Sequence, residues 1–124
     1  MTAPAPTPHR WSDVAPQQLT PHIVRQFIST DAITIGRFQL TAGGVVPRHA
    51  HHHEQVSSVL SGRLRFVFDD REVEVGAGGV LQIPGHVPHE VHVIEDTLVI
   101  DVFSPVREDW RDGTDTYFTA GVVR

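Results

Sequence analysis

The chain contains no cysteine. That removes disulfides and thiolate ligands together, so any bound metal must be held by imidazole, carboxylate or amide groups. Positive charge is scarce as well. Ten basic side chains stand against fifteen acidic ones, a net charge of −5 with no cationic block, so neither nucleic acid nor an anionic membrane is an expected partner. No apolar run approaches the roughly 20 residues that span a bilayer. The opening "MTAPAPTP" lacks the charged and apolar regions of a secretory signal. A cytoplasmic location is the resulting expectation. At 124 residues, 40 % apolar and 20 % charged, the chain reads as one globular domain over residues 13–124, behind a flexible Pro- and Ala-rich arm at 1–12.

What is present is mostly β-patterned. "PQQLTPHIVRQFIS" has some helical spacing, but Pro16 and Pro21 interrupt it, and Ile23, Val24, Phe27 and Ile28 fit a strand equally well. From Ala32 onward alternation takes over. "AITIGRFQLTAGG" stops at Gly43-Gly44, and "VSSVLSGRLRFVFDDREVEV" reads as a strand, a tight "SG" turn, a strand and a return strand. "VLQIPG", "EVHVIED" and "TLVIDVF" follow as short strands. Many short strands without a convincing long helix predict an all-β sandwich or barrel. The segment "REDWRDGTDTYFTAGVVR" reads either as a short helix or as an arm held on the barrel by Trp110, Tyr117 and Phe118.

Four of the nine histidines fall within "HAHHH", residues 49–53. On a strand, side chains two apart share a face, so His49 and His51 would converge as a two-point metal clamp. Taken alone, such a pair reads more readily as a histidine-rich polar loop. Its surroundings are more specific. Gly43, five residues, His49, one residue, His51, three residues, Gln55, six residues and Gly62 resemble the first motif of the cupin superfamily. After a gap of fifteen residues, Gly78, five residues, Pro84, four residues and His89 resemble the second. This resemblance implies a single-domain jelly-roll barrel with one divalent metal in its mouth. The implied ligands are His49, His51, Gln55 and His89. Gln55 replaces a usual Glu, His86 a usual Gly and Val93 a usual Asn. A local bulge would bring Glu54 to the metal instead of Gln55. By parity His52 and His92 lie outside the site, whereas His53 could return to the ligand face; His9 and His22 read as surface residues.

A glutamine oxygen cancels none of the metal's charge. Three imidazoles and an amide therefore leave a divalent ion at a formal +2, a strong Lewis acid suited to anionic substrates. The higher oxidation states of oxygen activation are disfavoured, since two His and a carboxylate are the usual set there. The identity of the ion, Zn, Ni, Mn or Fe, stays open.

"LVIDVFSPVRED" carries a second constellation. Asp101 and Phe103 share one face of an otherwise apolar strand. An Asp there sits in solvent, pairs with an arginine, or faces a wet or metal-bearing cavity. "HHHEQVSSVLSG", "IPGHVPHEV" and above all "DVFSPVRED" resemble the KdgF pectin-degradation family, single-domain cupins of uronate catabolism. The resemblance implies a metal-dependent, isomerase- or lyase-type enzyme. Its substrates would be the 4,5-unsaturated uronates left by pectin or alginate lyases, opened to linear 4-deoxy-5-keto uronates. It implies that Asp101, Phe103 and Arg107 line the pocket and that the chain forms a homodimer; the chemistry of ring opening then suits Asp101 as general acid–base, Arg107 as a catalytic and carboxylate-binding group and Phe103 as an apolar wall. A cupin dioxygenase using Fe or Cu, and a non-catalytic binder of sugar acids, are the competing readings.

Overall fold

The computed structural model describes residues 4–119. Eight strands follow one another: β1 (Gln17–Thr20), β2 (Ile23–Ser29), β3 (Thr34–Leu40), β4 (Val45–His49), β5 (Glu54–Val67), β6 (Glu72–Gly76), β7 (Val80–Ile83) and β8 (His89–Ser104). The stretch open between helix and strand is an antiparallel hairpin of β1 and β2. Pro16 and Pro21 fall just outside its two strands, where no ladder hydrogen bond is lost. Among the described residues no helix is long and apolar enough to cross a membrane.

Two expectations are corrected here. "SG" is not a hairpin turn, and "EVHVIED" and "TLVIDVF" are not separate strands. β5 runs unbroken through Gly62, and β8 through Asp96-Thr97. The two strands pair with each other along their length, with register shifts around Ser61 and Arg63. Gly62 has φ +90°, and a Cβ there would overlap the Asp96 carbonyl and Thr97. Glycine thus lets two backbones cross at close range, and the paired strands bend together instead of reversing. The Thr97 hydroxyl fixes the bend: it accepts from the Arg63 amide at 3.1 Å and donates to the Glu95 carbonyl at 2.7 Å.

The bend divides the fold into two layers that share β5 and β8. The first half of β5 pairs with the second half of β8, flanked by β7 on one side and by β3, β2 and β1 on the other. The other halves pair with each other between β6 and β4. The register shift also exchanges inward parity along β5, from Gln55, Ser57 and Val59 to Leu64 and Phe66. This is a jelly-roll barrel with a continuous core of Phe38, Leu40, Val59, Leu64, Phe66 and Val99, among others.

After β8 the chain forms a short helix, α1 (Glu108–Asp112), stopped by Gly113 at φ +76°. A 3-10 turn follows at Tyr117–Thr119. Both readings of this segment hold together, because the helix is part of an arm packed into the barrel mouth. Trp110 is buried edge-on against Phe103, with ring centroids 4.8 Å apart, and Phe118 stacks on Phe38. The arm is also tied from beneath. Arg25 Nη1 on β2 donates to Asp115 Oδ2 at 2.7 Å, both side chains being nearly solvent-free.

Candidate metal centre

His49 ends β4 directly opposite His89, the first residue of β8, and their rings lie 4.3 Å apart. His51 is not on a strand. β4 ends at His49, and the chain turns through residues 50–53 before β5 begins, so the shared-face argument for His49 and His51 is corrected. Hydrogen bonds return His51 to the site instead. Its carbonyl accepts the His86 amide at 2.7 Å, and its Nδ1 donates to the His53 carbonyl at 3.1 Å. One ring nitrogen from each of His49, His51 and His89 lies within 4.8 Å of the others, a group that can hold a metal ion.

The hydrogen bonds around these rings favour that use. Nδ1 of His49 donates to the Pro47 carbonyl at 2.7 Å, and Nδ1 of His89 to the Val87 carbonyl at 2.8 Å. A carbonyl only accepts, so in all three rings Nδ1 carries the proton and Nε2 presents a lone pair. Burial pushes His49 down to about 4 and His51 to about 3, with neighbouring cationic groups adding to the effect. His89 is lowered too, again chiefly by burial. Neutral imidazoles are the form a metal requires.

Gln55 lies beside the three rings. It is buried, whereas Glu54 lies exposed. Its Nε2 donates to Ser57 Oγ at 3.0 Å, which turns Oε1 toward His51 Nε2 at 3.2 Å. With Nδ1 protonated, that contact sets two lone pairs face to face, an unfavourable arrangement unless a cation lies between them. Two donors each about 2.1 Å from one ion stand at about this separation. The residues therefore fit a divalent metal held by three imidazoles and one amide.

Asp101 stands on the inner face of β8, across from Ser57. Its Oδ1 is shut from solvent without a hydrogen-bond partner. Burial raises its pKa to about 6, although the Ser57 hydroxyl and the charge of Arg107 pull the other way. A chain of polar groups thus runs from the Gln55 amide through Ser57 to Asp101. Phe103, two residues on, forms a wall with its ring 5.7 Å from that of His51.

Arg107 is fully buried and heavily engaged. Its Nε and Nη2 donate to the two carboxylate oxygens of Asp109 at 2.9 and 2.7 Å, and Nη2 also donates to Tyr117 Oη at 2.9 Å. The guanidinium lies over Phe103 and Trp110 at 4.7 and 4.5 Å. Tyr117 stacks flat on His49, with centroids 4.0 Å apart and planes 10° apart. Sequence reasoning missed Asp109, Tyr117 and Ser57 as parts of this site. The aromatic content of the last segment was the one available signal.

The remaining histidines separate cleanly. His52 and His86 are exposed, and His92 pairs with Glu90 at 2.6 Å. His53 is buried outside the ligand set, against His51 and Phe103. His86 stands at φ +68°, so the Gly position that it occupies retains its left-handed backbone.

Comparison with known proteins agrees with this geometry. The chain is similar to a protein of Streptomyces coelicolor, 33 % identical over 81 residues, covering 64 % of this chain and 77 % of that one. The structure of KdgF from Halomonas sp. superposes with a TM-score of 0.74 at 27 % identity, over 80 % of this chain and 94 % of the other. An RmlC-like cupin from Shewanella frigidimarina gives 0.77 at 26 %, over 82 % and 93 %. The Cupin domain family matches residues 36–103, a span that runs from within β3 to the penultimate residue of β8 and includes the three clustered histidines, Gln55 and Asp101, and the chain belongs to that family.

Proposed function

We propose that this protein is a metal-dependent enzyme that opens the ring of 4,5-unsaturated uronate monosaccharides, giving linear 4-deoxy-5-keto uronates. The observation that carries the proposal is the Gln55–Ser57–Asp101 row, in which Gln55 donates to Ser57 and Ser57 faces Asp101 across the paired strands. It joins a charge-neutral metal-ligand set to a buried carboxyl group whose pKa, near 6, suits proton transfer close to neutrality. The likeness to the KdgF structure supports the same reading.

The reaction is an isomerisation that moves one proton. The C1 hemiacetal hydroxyl loses its proton as the bond between C1 and the ring oxygen breaks, and C1 becomes an aldehyde. The electron pair passes to the ring oxygen, leaving an enolate at C5 that becomes a ketone when C4 gains a proton. Asp101 takes the proton from the C1 hydroxyl and returns it to C4. Ser57 holds the carboxylate in place by its single hydroxyl proton, and Phe103 excludes water from one face of the sugar. Arg107 supplies a planar fork for the substrate carboxylate. A bound divalent ion would act as a Lewis acid for the charge that develops on oxygen.

The first test is the ultraviolet absorbance of freshly released unsaturated galacturonate, followed with metal-loaded protein, with chelator-treated protein and with neither. Accelerated decay that chelation abolishes is expected, and Asp101→Asn should suppress it while metal stays bound. No acceleration by loaded protein would rule the reading out.

A further inference from the structure

The cavity beneath the arm measures about 40 Å³. One water needs roughly 10–15 Å³, so there is room for a few waters and no more. Pockets that take small organic ligands run to roughly 300–1,000 Å³. A six-carbon acid therefore enters only when something on the cavity wall moves. Tyr117, on that wall, lies flat over His49, and Arg107, also on the wall, has its fork filled by both carboxylate oxygens of Asp109, which lies outside the lining.

We propose that Asp109 is a specificity-determining residue, an internal carboxylate that occupies Arg107 until a ligand carboxylate exchanges with it. The identity of the ligand as a uronate rests on the proposed function; the exchange itself rests on geometry. Arg107 is 1 % exposed, and a buried cation stripped of its partner is strongly unfavourable. A neutral sugar that displaced Asp109 would leave that cation unpaired. A carboxylate replaces like with like. Asp109 is free to leave because its side chain remains 29 % exposed. Gly113, with open space at its Cβ position, lies between Asp109 and the Asp115–Arg25 anchor. Asp109 can then swing away about Gly113 while the anchored end stays docked, and Tyr117, beyond the anchor, gives way by rotating its own side chain.

The exchange is tested without turnover, using saturated D-galacturonate, which has no C4=C5 bond to isomerise, and D-galactose as its neutral counterpart. In a Trp11→Phe background, where Trp110 is the remaining tryptophan, galacturonate should change the emission of Trp110 as its Tyr117 partner moves. Galactose should leave it unchanged. Asp109→Asn removes the competing charge, and galacturonate should bind at least tenfold more tightly while galactose remains excluded. A purely structural role for Asp109 would lower stability without sharpening this selectivity. Unchanged or weaker galacturonate binding in Asp109→Asn, or an equal response to galactose in the parent protein, would overturn the proposal. Failure of ring opening alongside the expected binding would overturn the uronate reaction alone.

Discussion

Replacing Asp115 by Asn should be among the most damaging single changes away from the metal ligands. Asp115 and Arg25 leave 5 % and 3 % of their side chains exposed. Removing one charge of such a buried pair typically costs about 3–5 kcal/mol, because the other is left uncompensated in low dielectric. Arg25 keeps some support here. Its Nε donates to Gln17 Oε1 at 2.9 Å, and its guanidinium lies 4.4 Å from the Trp110 ring, while Asn retains an acceptor oxygen. The lower end, about 3 kcal/mol, is therefore expected. For a chain of this size each kcal/mol moves Tm by roughly 3–5 °C, so thermal unfolding followed by circular dichroism should show a fall of about 10–15 °C. The double replacement Arg25→Met with Asp115→Leu should lose far less, since no orphan charge remains. A Tm for Asp115→Asn within about 3 °C of the parent would mean that the pair is hydrated in solution and that the arm is not docked as described.

Three further outcomes follow from the site. Metal-free protein should weaken in mild acid: His49 and His53 are held near 4 and His51 near 3, against about 6.5 when unfolded, so the unfolded chain takes up the extra protons as pH falls below 6.5. Asp101, raised to about 6, returns part of that loss, and allowance for partly exposed rings leaves a slope of about 2 kcal/mol per pH unit between pH 6 and 5; urea midpoints that do not move across this range would contradict it. Gln55→Glu should bind a divalent ion at least roughly tenfold more tightly by adding a charge, yet open uronate rings more slowly and with an activity profile shifted to higher pH, because one Ser57 proton cannot serve both carboxylates. His86→Gly should raise Tm by a few degrees: it removes a left-handed backbone cost of roughly 1–2 kcal/mol, partly offset by the freer unfolded chain, and a lower Tm would show that the exposed His86 ring has a stabilising partner.

The β architecture was legible because alternation survives in nearly every strand, and the motif spacings picked out His49 and His89, which the structure brings together with His51. The misreadings have local causes. Gly62 looks like a turn because a glycine after serine commonly is one, and nothing nearby reveals that the β8 backbone, more than thirty residues away, needs its missing Cβ. His51 reaches the right place for a reason other than strand parity, through backbone hydrogen bonds to His53 and His86. The closing arm was beyond reach for a different reason: Arg25 and Asp115 are ninety positions apart, and neither stands in a motif that calls for the other.

His49 and His89 sit at the meeting of β4 and β8, in one layer of the barrel, whereas Gln55 opens the half of β5 that belongs to the other. An ion shared among them would be a rivet between the two layers at their open end. Any ion that binds the folded chain and not the unfolded one adds its binding free energy to stability. The persistence of this protein in a cell would then follow the supply of its metal, and scarcity would remove the chain itself along with its chemistry.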